Sequence, residues 1–341
     1  MLEIDGSYRE GGGQILRSAL ALSLITGHAF RIHDIRGGRK RPGLMRQHLT
    51  ALRAAARIGN ARVEGDELGS TQVIFRPGPV CGGHYSFAVG TAGSTMLVLQ
   101  TLLLPLLFAE EASTVHIEGG THVFHAPSFD FVQLAYLSVL ERMGASVRLD
   151  LERFGFFPAG GGKITAHVEP AQDGLGSLAL TKTTDVMERR LRVINAHLPS
   201  HVAQREVDTF LAESGWPRHL VQVTQTEEST SPGNAVIAEL CFETHRELLC
   251  ELGSRGRPAE DVARGCARQV EALLEARVPV GPHLCDQLLL AMAVGEGGRI
   301  RTMALTDHSH TQMWLIPKFV NVEFSVREID EFRIEVAVNV D

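Results

Sequence analysis

Apolar positions in this chain come in blocks that repeat. Three stretches run from a glycine-rich turn into a long row of small and aliphatic residues: EGGGQILRSALALSLITG (10–27), GTAGSTMLVLQTLLLPLLFA (90–109) and GPHLCDQLLLAMAVGEGG (281–298). Apolar runs longer than a strand predict buried helices. Each is followed by a β-branched run that predicts a strand: AFRIHDIR (29–36), STVHIEGG (113–120) and RIRTMAL (299–305). A second helix is predicted after each strand, at PGLMRQHLTALRAAARIG (42–59), at PSFDFVQLAYLSVLERMG (127–144) and, shorter, from near His308. RIGNARVEG and RMGASVRLD end two of these alike, as a helix, a glycine cap and a strand. Helix pairs alternating with strands three times predict an α/β (α+β) fold of repeated units. Each unit lays two helices on one face of a small sheet.

The third unit is interrupted. Between KITAHVEP (163–170) and VPVGPHLCDQ (278–287) the pattern yields a strand at RLRVINAHL (190–198), an amphipathic helix at HVAQREVDTFLAES (201–214), two further strands (HLVQVTQTE and AVIAELCFETH) and a charged helix at 258–276. This predicts a smaller α/β domain over 181–276, inserted into a larger domain of repeats formed by 1–180 and 277–341.

Composition narrows the class without changing this picture. The chain of 341 residues is 44% hydrophobic and 21% charged, ordinary for a globular protein with a sizeable core. A net charge of −7 argues against a nonspecific coat on nucleic acid, while leaving room for a local basic groove. Cys81, Cys241, Cys250, Cys266 and Cys285 form no CxxC pair, as expected of reduced thiols in a cytoplasmic protein. The start, MLEIDGSYREGGG, has no export-signal pattern, and 95–109 is too short to span a bilayer, so no membrane partner is expected.

Four places could carry chemistry. Glu10, Gln14 and Arg17 share one face if a helix begins in the first glycine turn, and the Gly11–Gly13 amides could hold an anion. A carboxylate there would repel that anion unless a divalent cation lay between them; the plain alternative is a solvated polar stripe. IRGGRKRPGLMRQH (35–48) gathers Arg36, Arg39, Lys40, Arg41, Arg46 and His48 without an acid, which suits phosphate as well as a solvated basic loop. FGFFPAGGGK (154–163) lacks Walker spacing and reads as a structural turn. In LTDHSHTQMWL (305–315), His308 and His310 would share a face on a strand and could bind zinc, but would diverge on a helix. Either neutral imidazole is also a nucleophile toward phosphorus, and two exposed histidines at a helix start are the bland reading.

EGGGQILRSALALSLITG, IRGGRKRPGLMRQHL, GTAGSTMLVLQT and GFFPAGGG together resemble, in order and spacing, the RNA 3′-terminal phosphate cyclases. The likeness runs over nearly the whole chain, is strongest through residue 170, and reaches HVAQRE in the insert. It implies three repeats of a two-helix, four-stranded unit with one smaller inserted domain. It also implies an ATP-dependent, ligase-like reaction on an RNA 3′-phosphate. A histidine takes AMP from ATP, AMP passes to the RNA 3′-phosphate, and the neighbouring 2′-hydroxyl closes a 2′,3′-cyclic phosphate.

The family's nucleophile lies in a His-x-x-Thr stretch, which His308 and Thr311 match, whereas His310 would require a two-residue deletion. By the same resemblance Glu10 supports a divalent cation (Mg2+ or Mn2+), with Gln14 and Gln100 near the same metal or the phosphates. Arg17, Arg39, Gln47 and His48 match phosphate-region positions. Asp286 and Gln287 match an Asp-Gln pair near the nucleotide, Asp286 at the ribose, and Pro127 packs on the adenine. His283 stands where a tyrosine usually covers the other face of the base, and Phe154 replaces a basic residue. Competing readings are a non-catalytic cyclase-like protein of ribosome assembly, against which His308, Glu10, Arg17 and Arg39 argue, a relative of the enolpyruvyl transferases, and a zinc hydrolase built on His308 and His310.

Overall fold

The structure, a computed structural model, describes residues 1–9 and 11–340. The first unit holds β1 (Leu2–Asp5), α1 (Gln14–Thr26), β2 (Phe30–His33), α2 (Arg46–Ile58), β3 (Arg62–Glu64) and β4 (Val73–Arg76). The second holds β5 (Gly83–Ala88), α3 (Thr95–Leu107), β6 (Ser113–Gly119), a π-helical turn (Phe131–Tyr136) running into α4 (Leu137–Arg142), β7 (Ser146–Arg153) and β8 (Gly162–Glu169). After β9 (Leu178–Leu180) come β10 (Glu188–Ala196), α5 (Ser200–Ser214), β11 (Val221–Thr226), β12 (Gly233–Cys241), β13 (Arg246–Leu252) and α6 (Ala259–Ala276). The chain ends with α7 (Pro282–Val294), β14 (Gly298–Thr302), α8 (Asp307–Leu315), β15 (Val322–Glu328) and β16 (Ile334–Val340).

Three sheets share one connectivity. Their orders are β1-β2-β4-β3, β5-β6-β8-β7 and β9-β14-β16-β15, with the first pair parallel and the others antiparallel in each. A parallel pair needs a crossover, and α1, α3 and, after the intervening residues, α7 supply it. The fourth sheet, β11-β10-β12-β13, places its first strand in the interior instead. Its strand β13 lies in RELLCEL, a stretch where no strand was expected from sequence.

The apolar helices are buried as their composition demands. Ile15, Leu16, Ala19 and Leu20 of α1 and Leu102 and Leu103 of α3 are fully buried in one large core. A second core, with Leu191, Val193, Phe210, Val236 and Val270, lies between the fourth sheet and α5 and α6. It also takes Val278, just past residue 276. Among the described residues, no helix is long and apolar enough to cross a membrane.

Helix ends follow local chemistry. Gly27 ends α1 in the left-handed region, its N–H donating to Ser23 O at 2.9 Å. The Ser94 hydroxyl caps α3 by accepting from Leu97 N at 3.2 Å. Helix α2 ends on the expected glycine cap, Gly59 N–H donating to Ala55 O at 3.0 Å, and Asn60 takes the left-handed turn at φ 43°. Asparagine tolerates that region, and Gly59 is needed for its size: a Cβ there would lie 2.0 Å from Leu24 Cδ2. FGFFPAGGGK acts as a seam. Ala159 N donates to Ser231 Oγ, and a Cβ added to Gly161 would lie 2.6 Å from Thr230 Oγ1, so the turn fits closely against the loop before β12.

Candidate active site

The first turns of α1, α2, α3, α7 and α8 all face one cavity of about 740 Å³ through Gln14, Gln47 and His48, Leu97, His283 and His308. Helix N-termini carry unpaired N–H groups and the positive end of the helix dipole. Their convergence makes the cavity a receptor for anions, and Arg17, Arg36 and Arg39 line it as well.

Every expected site residue that the structure describes lies on this cavity: Gln14, Arg17, Arg39, Gln47, His48, Gln100, Pro127, His283, Asp286, Gln287 and His308. Glu10 lies outside the described residues. Helix α1 starts at Gln14, directly after the glycine turn, so Gln14 and Arg17 occupy its first turn.

Helix α8 answers the question of the two histidines. Thr306 caps it, accepting from Ser309 N at 3.0 Å, which places His308 in the first turn. Helical geometry turns His310 about 200° away around the axis, and His310 does not line the cavity. His308 Nδ1 lies 2.7 Å from Gln14 Oε1. A carbonyl oxygen only accepts, so in the neutral ring this contact favours the tautomer with the proton on Nδ1 and the lone pair on Nε2. Among the described residues, the one cluster with metal-ligand spacing is Asp5, His33 and Asp34, which includes neither His308 nor His310.

A chain of side-chain bonds joins the units behind this histidine. Gln100 donates to Gln287, which donates to Asp286 Oδ1. Asp286 Oδ2 accepts from the capping Thr306 hydroxyl at 3.2 Å. Asp286 thereby steadies the turn that holds His308. His283 Nδ1 stands 3.9 Å from Asp286 Oδ2, and that carboxylate holds the imidazole above its usual pKa.

His48 is held in the opposite state. Burial, followed by the charges of Arg17 and Arg36, lowers its pKa to about 3, so it is neutral. Its Nδ1 accepts from Met45 N at 3.2 Å, which leaves the proton on Nε2. A Cβ on Gly13 would lie 2.2 Å from that Nε2, so the tight glycine turn is what lets His48 reach the start of α1. Gln47 Oε1 accepts from Ser94 N at 3.1 Å, tying α2 to the start of α3.

Several cavity residues escaped the sequence reading. In the π-helical turn, Phe131 and Tyr136 both reach the cavity, which the i, i+5 spacing of that turn allows. Leu248, Cys250, Glu251 and Leu252 of β13, with Gln269 of α6, form a wall contributed by the fourth sheet and its helix. No spacing announced them, because nothing local says which edge of a sheet meets a distant loop. Gln312 is different: it directly follows the His-x-x-Thr stretch, one turn past His308, a signal that was available.

A family model described as RNA 3′-terminal phosphate cyclase matches residues 8–326. A protein from Koribacter versatilis named RNA 3′-terminal phosphate cyclase is 45% identical over 96% of this chain and 92% of its own length. One of the same name from Pseudomonas fluorescens is 45% identical over 98% of this chain and 97% of its own. A solved enolpyruvyl transferase, NikO from Streptomyces tendae, aligns at 13% identity over 49% of this chain and 33% of its own with a TM-score of 0.25, too slight to carry an argument. With both the family model and these relatives spanning nearly its whole length, the chain belongs to the RNA 3′-terminal phosphate cyclase family of enzymes.

Proposed function

We propose that this enzyme uses ATP to convert an RNA 3′-terminal phosphate to a 2′,3′-cyclic phosphate through a covalent adenylate on His308. One observation carries the reading: His308 Nδ1 lies 2.7 Å from Gln14 Oε1, an arrangement that suits Nε2 as the nucleophile, in a cavity lined by arginines and helix N-termini. The names of the relatives supply the substrate class.

The chemistry then runs in three displacements. The Nε2 lone pair attacks the α-phosphorus of ATP, and the bond to the β-phosphate oxygen breaks, releasing pyrophosphate with its electron pair. An oxygen of the RNA 3′-phosphate attacks that phosphorus, and the N–P bond returns its pair to imidazole. The 2′-oxygen attacks the RNA phosphorus, its proton passes to solvent, and AMP leaves. Arg17 and Arg39 would offset the charge of the phosphates, with neutral His48 donating from Nε2. Pro127 and His283 would hold the adenine between them, and Asp286 the ribose.

Glu10, Gln14 and Gln100 offer oxygen donors, the hard type that Mg2+ or Mn2+ takes. Such a cation would neutralise phosphate charge beside His308. The division into a catalytic domain (1–180, 277–341) and an insert (181–276) is part of the same proposal. His308 beside Arg17 and Arg39 in one cavity speaks against the non-catalytic alternative.

The direct test is RNA bearing a 3′-phosphate, incubated with ATP and Mg2+ or Mn2+. The end should become resistant to phosphatase, with one AMP released per end. An end that stays phosphatase-sensitive under every cation would sink the proposal. A second expectation concerns orientation: Gln14→Ala should slow adenylate formation about 100-fold, because the ring loses its favoured tautomer and aim. Gln14→Glu, which keeps an accepting oxygen, should recover part of it. Equal rates for Gln14→Ala and wild type, in a single-turnover assay, would exclude that role.

A further inference from the structure

We propose that Gln312 is the contact that recognises the 2′-hydroxyl of the RNA end; the assignment rests on the cyclase reading above. Gln312 lies one turn beyond His308 on α8, so the two side chains share a helix face. It is 6% exposed and lines the cavity. Its Oε1 is sealed from solvent without a hydrogen-bond partner among the described residues. Such buried orphans are rare and costly, so each needs a reason. The other buried side-chain atoms in this condition, on Ser113, Asn195, Glu206, Arg301 and Thr302, do not line the cavity. Turning the amide about its terminal torsion would bring that oxygen to the cavity, so of these groups Gln312 is the one that a substrate can satisfy.

The chemistry selects the partner. An amide offers a carbonyl acceptor and N–H donors on one terminal torsion that turns readily. A ribose hydroxyl both donates and accepts, so it matches either orientation. Two riboses enter this cavity in the proposed reaction. On the RNA side, the 2′-oxygen sits on the carbon next to the one bearing the 3′-phosphate and must itself reach the reacting phosphorus. On the ATP side, the hydroxyls lie beyond C5′ and C4′. Standing one turn from the nucleophile, Gln312 fits the nearer group. Accepting the 2′-O–H would orient that oxygen and let the enzyme distinguish RNA from DNA ends.

Gln312→Leu keeps the approximate volume and removes the orphan. Enzyme carrying labelled AMP is mixed, without free ATP, with strands whose last nucleotide is 3′-phosphorylated and either ribose or 2′-deoxyribose, and loss of label from protein is timed. Wild type should prefer the ribose end, and the variant should lose about tenfold or more of that preference. Its thermal midpoint should hold or rise, by about 2 °C or more, since an unpaired buried amide has gone. An unchanged preference overturns the proposal. So does a lower midpoint, which would mean that the amide has a partner within the protein. A defect seen in self-adenylylation with ATP and absent with 2′-deoxy-ATP or 3′-deoxy-ATP assigns the contact to the nucleotide's ribose and overturns it as well. Wild-type protein inert toward the RNA end sinks the cyclase reading and this contact together, whereas wild type active with a variant of unaltered preference sinks the contact alone.

Discussion

Protein incubated with ATP labelled at the α-phosphate and a divalent cation, without RNA, should acquire covalent label, and His308→Ala should reduce it to background. The bond should be acid-labile and alkali-stable, as expected of a phosphoramidate. His310→Ala should retain the label. The contrast follows from helix geometry, since both residues sit on α8 but only His308 lines the cavity. It also follows from the bond to Gln14 Oε1, which favours Nε2 as the basic nitrogen. Loss of a nucleophile is not made good by binding, so the expected effect is the largest that any single substitution here should produce. Label that survives in His308→Ala and vanishes in His310→Ala would transfer the role. Absence of label from wild type under every cation would remove the covalent step altogether.

The second large effect concerns stability. Asp130 is buried between units: Oδ2 accepts from His122 Nε2 at 2.7 Å and Oδ1 meets Arg192 of β10 at 2.5 Å. Removing one member of a buried ion cluster leaves the others without compensation, at a cost of about 3–5 kcal/mol. Asp130→Ala should fall near the low end, about 3 kcal/mol, because Arg192 is 28% exposed and water screens part of its charge.

The pH dependence has a definite sign. Burial would raise the pKa of Asp130, but the hydrogen bond from His122 and the charge of Arg192 outweigh it, and the result is below 3.8. A carboxyl lowered in the folded state adds stability above its unfolded pKa and loses it as pH falls through the folded one. Wild type and Asp130→Ala should therefore differ in denaturant midpoint at pH 7 and draw together below about pH 4. Equal midpoints at pH 7, or a gap that persists undiminished in acid, would contradict this account. The cluster also sits at the foot of the loop that brings Pro127 to the cavity, so residual activity of the variant bears on whether that loop stays in place.

Much of the architecture was legible because it is local. Continuous apolar runs announced α1, α3 and α7, and alternating β-branched runs announced the strands that follow them. β13 was missed because RELLCEL carries apolar residues at adjacent positions, Leu248 and Leu249, with no alternation, both faces being covered.

The candidate site divides in the same way. Resemblance and spacing nominated Gln14, Arg17, Arg39, Gln100, Asp286 and His308, all of which reach one cavity. Local pattern by itself determined the apolar helices, their glycine ends and a short helix starting near His308, because these depend on neighbours a few residues away. Which nitrogen of His308 is free, why Gln312 lacks a partner, and that β13 walls the cavity were decided only in three dimensions. Gln14 and His308 are 294 residues apart. A proton's place on an imidazole depends on the atom 3 Å away, and only the folded chain decides which atom that is.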